Sequence, residues 1–271
     1  MAIIGKVFLR MNPSIPPSFA LRTFGCKLNQ FDSFVLADQL QQQGWVRDKL
    51  EDANMIILNS CAVTHRAEAD LRREIRRLHR VNPQAQIAVT GCLAEIQRER
   101  LQQEHPELRF VWGNQDKYNI HPLLQSLSNG KKPSLARDNI FRQKKIDFHP
   151  VTKFGDQARA LVKVQDGCDL RCSYCIVPFT RGNSRSLPEP IILDYLYRLE
   201  DAGYPEAVLT GIHIGHYRGE HGSSLEELLR FLEQSRLSIK IRLSSLDSNE
   251  LTPGLLDFLA TSRLIQPHLH I

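Results

Sequence analysis

The sequence predicts an α/β protein in two successive units, an N-terminal doubly wound parallel sheet and a C-terminal run of further βα repeats. Three observations carry this expectation. Short apolar runs of strand type alternate with segments whose apolar residues recur at helical spacing, the pattern of a parallel sheet covered by helices. Three such runs in the first half each lead into a small residue and then a cysteine. The chain has 271 residues, 42% hydrophobic and 24% charged, enough for one or two ordinary globular domains.

In chain order, Phe19–Phe24, Met55–Leu58 and Gln86–Thr90 read as strands, running into Gly25-Cys26, Ser60-Cys61 and Gly91-Cys92. Between them, 31–43 places Phe31, Phe34, Val35 and Leu40 on one side of a helix, and 67–81 does the same with Ala67, Leu71, Ile75 and Leu78. Phe110–Trp112 predicts a fourth strand and Tyr118–Leu127 a short helix. Residues 129–157 lose periodicity and hold Gly130-Lys-Lys-Pro133 and Arg142-Gln-Lys-Lys145, the mark of an irregular basic connector. The domains expected are therefore 18–130, a linker at 131–157, and 158–271.

The second unit opens with an apolar strand at Ala160–Val164. Helix 190–202 carries Ile191, Ile192, Tyr195, Leu196 and Leu199, and strand Ala207–Thr210 ends in Gly211-Ile-His213. Gly211 lets backbone approach a ligand closely; His213 reads first as a core histidine or one supporting a ligand. The glycines at 211, 215 and 219 do not make a dinucleotide fingerprint. Ser224, with Glu227 three residues on, predicts a capping box for a Leu-rich helix. Strand Ile239–Leu243 opens into Ser244, Thr252 and Pro253 start another helix, and His268–Ile271 begins a further strand at which the sequence stops, as if truncated.

The chemistry concentrates in the cysteines. Cys168, Cys172 and Cys175 fall within eight residues, in a loop past a strand. Three thiolates can hold three irons of a cubic four-iron cluster and leave the fourth for another molecule. A structural zinc site would normally have four protein ligands, and no histidine or fourth cysteine follows closely; zinc and a disulfide are the alternatives. Cys26, Cys61 and Cys92 occupy equivalent positions after three successive strands, along the edge where open α/β sheets bind ligands. They predict a second three-thiol cluster site; ordinary buried cysteines are the alternative.

The tripartite spacing with Tyr174 before the last cysteine resembles the radical S-adenosylmethionine (SAM) signature. Over residues 19–271 the chain resembles the methylthiotransferase branch of those enzymes. The marks are Phe24-Gly-Cys26-Lys-Leu-Asn29-Gln30, Asn59-Ser-Cys61-Ala-Val-Thr64, Thr90-Gly-Cys92, and the Cys168 loop followed by Arg181-Gly182 and Arg185-Ser186. Thr210-Gly-Ile-His-Ile-Gly215 and Arg242-Leu-Ser-Ser-Leu-Asp247 look most like the subgroup acting on N6-threonylcarbamoyladenosine beside the tRNA anticodon. The resemblance implies a second unit that is a partial (β/α) radical SAM barrel, incomplete here, and two [4Fe-4S] clusters with SAM. The cluster on Cys168, Cys172 and Cys175 would generate the radical, and the one on Cys26, Cys61 and Cys92 would supply or hold the sulfur. Tyr174, Arg181, Arg185, Gly211 and Ser244 are the expected cofactor contacts, and no side chain is assigned as catalytic. Implied partners are the tRNA anticodon stem-loop, an electron donor such as a flavodoxin or ferredoxin, and a sulfur donor. The same chemistry on a ribosomal protein side chain, or an inactive metal-binding fragment, is the alternative. Two departures stand out: Leu187 occupies a place where a basic residue is common, and the RNA-binding β-barrel usual in the family is absent.

Charge adds a weaker pointer. The net charge of +5 permits a polyanionic partner without establishing one. Between His65 and Arg80 six arginines face three acidic residues; the expectation is a solvated face or a phosphate-tracking one. No apolar run reaches membrane-span length, and Met1–Arg10 lacks a continuous apolar stretch. A cytoplasmic setting without a membrane partner follows as an expectation.

Overall fold

A computed structural model of the chain describes residues 16–129 and 139–271. The N-terminal ten residues and the Gly130–Pro133 part of the expected linker lie outside the described residues. The chain divides into two compact units at Ile140/Phe141.

In the first unit the elements are β1 (Ser18–Thr23), α1 (Lys27–Gln42), β2 (Val46–Arg47), β3 (Met55–Ser60), α2 (His65–Val81), β4 (Gln86–Gly91), α3 (Cys92–Ile96), α4 (Arg98–Glu104), β5 (Phe110–Val111) and α5 (His121–Asn129). The strands form one parallel sheet in the order β2-β1-β3-β4-β5. Alternation along β3 splits its side chains between two cores. Ile56 and Leu58 pack with Leu71, Ile75 and Leu78 of α2. Met55 and Ile57 pack with Leu36 and Leu40 of α1 and with Trp112. β3 is buried along its whole length, as a strand covered on both faces must be. The doubly wound sheet expected from the sequence is therefore present. Helix α1 begins at Lys27, four residues before the first periodic apolar position, because Cys26 already serves as its N-cap. Helix α2 is capped by Thr64, whose side chain accepts from the Ala67 amide.

The second unit contains β6 (Arg159–Lys163), β7 (Gln165–Asp166), α6 (Val177–Arg181), β8 (Arg185–Ser186), α7 (Glu189–Asp201), β9 (Glu206–Thr210), α8 (Leu225–Glu233), β10 (Lys240–Leu243) and α9 (Pro253–Thr261). Among the described residues β10-β9-β6 form a parallel sheet, and β7 and β8 pair antiparallel. The capping box at Ser224 and Glu227 and the Thr252 cap with Pro253 in the first turn are both formed. Residues from the expected linker pack here: Val151 and Phe154 are buried, Tyr195 Oη donates to Val151 O at 2.6 Å, and the Phe154 amide donates to Tyr204 Oη at 3.0 Å.

The strand expected at His268–Ile271 is not regular. Instead there are two single bridges, Ile241 of β10 to Ile265 ahead of that stretch and Ser245, just past β10, to His270 within it. Pro267 stands between them and has no amide proton to continue a ladder. Among the described residues no helix is long and apolar enough to cross a membrane.

Candidate metal centres

Strands β1, β3 and β4 are neighbours and parallel, so their carboxyl ends emerge along one sheet edge. Ser60 pairs with Gly91, and Cys61 and Cys92 are the first residues past the two strands. On the other side Thr23 pairs with Asn59, and the Phe24 amide donates to Asn59 O at 2.9 Å. Gly25 then lies against Cys61 so closely that a Cβ on it would sit 2.7 Å from the thiol sulfur. Cys26 follows at the start of α1. Gly91 turns from strand to helix at φ +97°, and a side chain there would strike the Ser60 backbone.

One side chain ties these three loops together. Asn29, in the first turn of α1, donates through Nδ2 to Phe24 O (2.8 Å) and Ser60 O (3.0 Å), and its Oδ1 lies 3.9 Å from Cys92 Sγ. Asn59 braces it from below, donating to Asn29 O at 2.8 Å and Ser33 Oγ at 3.0 Å. Cys61 and Cys92 are each 5% exposed, and Cys26 is exposed. The Val63 amide points at Cys61 Sγ and Asn114 Nδ2 at Cys92 Sγ, both at 3.5 Å. Both donors point at the sulfurs and fix where they sit.

In the second unit β7 and β8 close the neck of the loop 167–184. Gln165 organises it: Nε2 donates to Gly167 O (2.7 Å) and Ser184 Oγ (3.0 Å), while Oε1 accepts from the Ile212 and His213 amides, each at 3.0 Å. The cysteine loop is thereby fixed to the loop after β9. Cys168 is buried and its Sγ lies 4.0 Å from His213 Nδ1; Cys175 is half-buried and Cys172 exposed. Burial, above all, raises the Cys168 thiol above its ordinary pKa. Tyr174 stands 88% exposed beside it.

Arg181 and Arg185, expected at an anion or in an open loop, are buried at 3% and 7% exposure. Arg181 Nη1 donates to both oxygens of Asp166, at 3.1 and 3.2 Å, and Arg185 Nη1 to the carbonyls of Arg181 and Asn183, each at 2.9 Å. Their observed contacts brace the neck of the loop. Arg185 also lines a small polar cavity with Asp169, Ser184, Ser186, His216 and Arg218. Gly211 makes the close approach expected of it, but towards the chain itself: a Cβ would lie 2.8 Å from Gln165 O. Ser244, just past β10, is buried with a hydroxyl that finds no hydrogen-bond partner among the described residues. The bracing roles of Asn29 and Gln165 escape sequence reasoning, although both stand within three residues of a cysteine.

Both trios fit iron–sulfur ligation in donor set, three sulfurs each. Among the described residues neither gathers as the ligands of one ion would, with ligand atoms all within 4.8 Å.

Comparison with known proteins places the chain. Residues 18–113 match the model of "Uncharacterized protein family UPF0004". The chain is 33% identical over 255 residues to the threonylcarbamoyladenosine tRNA methylthiotransferase MtaB of Thermotoga maritima, covering 93% of this chain and 57% of that protein. It is 36% identical over 257 residues to the protein of the same name from Chlamydia pneumoniae, covering 94% and 57%. The chain thus spans little more than half the length of these relatives. Its fold is like that of the radical S-adenosylmethionine methyltransferase TsrM from Kitasatospora setae, a structure with cobalamin and a [4Fe-4S] cluster bound. That likeness has a TM-score of 0.53 at 13% identity, over 91% of this chain and 59% of the other.

Proposed function

We propose, from the premise that this chain is a relative of the radical SAM methylthiotransferases over more than nine-tenths of its length, that it forms the cluster-bearing portion of a tRNA methylthiotransferase. The target is C2 of N6-threonylcarbamoyladenosine next to the anticodon. The observation that supports this best is the gathering of three cysteine loops on one sheet edge by Asn29, together with the Cys168, Cys172 and Cys175 spacing in the sequence of the second unit.

Cys168, Cys172 and Cys175 would hold one [4Fe-4S] cluster, and Cys26, Cys61 and Cys92 another. When bound, these groups and SAM supply hydrogen abstraction at an unactivated carbon and the sulfur that replaces the hydrogen. The chain's own part is to orient and shield the thiols. Amides and Asn114 face Cys61 and Cys92, and Gln165 and the Asp166–Arg181 pair fix the Cys168 loop. Tyr174 offers an exposed aromatic face suited to an adenine, and Gly211 and Ser244 stand at the strand ends where SAM would lie. An electron donor, a sulfur donor and a cytoplasmic location complete the proposal.

The experiment is complementation. The gene is deleted, restored with wild type or with Cys61→Ala, and bulk tRNA nucleosides are quantified by mass spectrometry. Methylthio-threonylcarbamoyladenosine should vanish on deletion and return with wild type alone. Unchanged nucleosides with a mass shift in a ribosomal protein would transfer the chemistry to a protein substrate.

A further inference from the structure

Among the described residues one cluster of ligating side chains brings three ligand atoms within 4.8 Å of one another: His213, His216 and Glu250. The two histidines lie in the loop after β9 and Glu250 ends a short 3-10 turn (Ser248–Glu250) after β10, so the ligands come from neighbouring strand ends. The imidazoles stack, with centroids 4.0 Å apart and planes 17° off parallel. Both Nε2 atoms converge on the same carboxylate oxygen, Glu250 Oε1, at 2.6 Å from His213 and 3.7 Å from His216.

Among the described residues that buried oxygen makes no hydrogen bond, and its 2.6 Å contact with His213 Nε2 is an ion pair only where the ring is protonated. The Glu250 side chain is only 10% exposed. Its other oxygen, Oε2, is held by the Asp247 amide at 2.8 Å, which fixes the carboxylate with Oε1 towards the rings. Gly215, between the two histidines, leaves room that any side chain would take, since a Cβ there would strike the carboxylate. A buried carboxylate oxygen without a hydrogen bond is costly. A divalent cation between the three ligand atoms would remove that cost, and two imidazoles with one carboxylate is a set that zinc and iron(II) both accept with a coordination position left open. The second ring nitrogen of His213, 4.0 Å from Cys168 Sγ, would then support the site from outside, as the far nitrogen of a metal-bound histidine commonly does.

We propose that His213, His216 and Glu250 bind a single divalent cation of the zinc or iron(II) class, with an open position for water or an anionic oxygen. This site adjoins the Cys168 loop through His213, 4.0 Å from Cys168 Sγ, but uses no cysteine as a ligand and does not depend on the methylthiotransferase reading.

The test uses the full chain with its cysteines already loaded with iron under anaerobic conditions. Zn²⁺ and Fe²⁺ are titrated separately by calorimetry into wild type, His216→Ala and Glu250→Gln. For zinc, anomalous maps on both sides of its absorption edge locate the ion in crystals. About one added cation per chain is expected at the trio, with affinity reduced at least about tenfold in each variant and the iron content of the cysteines unchanged. The metal held more tightly identifies the class. An empty trio in the map, or titrations identical in wild type and both variants, overturns the proposal. Should Glu250→Gln fail to fold, the half-exposed His216→Ala still decides it.

Discussion

Asn29 shows how much of the first site depends on a single amide. Its Nδ2 satisfies two buried carbonyls that belong to different strands, and its Oδ1 faces the thiol of a third. Asn29→Ala should leave both carbonyls without their shared donor and cost about 1–3 kcal/mol. Urea unfolding would measure that loss. Iron analysis should show less metal on the Cys26 trio and no change on the Cys168 trio; equal loss from both would mean a general folding defect. Spacing alone made the cysteines legible, because three thiols after three successive strands is a pattern that core packing does not require. The role of Asn29 was not legible, since its partners Ser60 and Cys92 lie 31 and 63 residues away. The partners of Arg181 and Arg185 were hidden for a related reason. Their chemistry suits an anion, and only the fold reveals that Asp166 is the anion they meet.

At the scale of elements, α2 separates its arginines into two kinds. Arg72 joins Glu68 and Glu104, and Arg77 joins Glu74 and Glu51, so these two cross-brace the first unit. Hydrogen bonds from Arg72 and then Arg100 hold the Glu104 carboxyl down to about 2, from an ordinary 4.5. A lowered carboxyl pKa stabilises the fold above the ordinary value, and that contribution is lost as pH falls towards the folded one. Arg72→Ala should therefore destabilise at pH 6 by less than about 1 kcal/mol, given solvent screening. The gap from wild type should narrow as pH falls from 4.5 towards 2, which urea titrations at stepped pH would follow. Arg76 and Arg80 stay exposed on the same helix. If they follow phosphates, Arg76→Gln and Arg80→Gln should each lower the log–log salt slope of tRNA binding by about 0.7–0.9. An unchanged slope would leave α2 as a solvated face. Long periodic helices and apolar strands were legible in the sequence. The β7/β8 pair was not, because two-residue strands carry no periodicity, and it is this pair that closes the neck of the cysteine loop.

For the whole molecule, the alternation of strand and helix carried the architecture, and covering β3 on both faces is its physical consequence. The net charge of +5 is compatible with an RNA partner and does not select one. The chain covers 57% of its relatives from Thermotoga and Chlamydia, so substrate grip is a property to be measured on this chain and not carried over from them. What this chain holds in itself is two sets of three thiols, each placed by its own network of buried amides. The direct measurement is iron and acid-labile sulfide per chain after anaerobic reconstitution, in wild type and in two triple variants. Two four-iron cubes predict about eight irons in wild type. They predict about four with Cys26, Cys61 and Cys92 all changed to alanine, and about four with Cys168, Cys172 and Cys175 changed instead. Zinc in place of iron, or about four irons in wild type that vanish with one triple variant and are untouched by the other, would contradict the account.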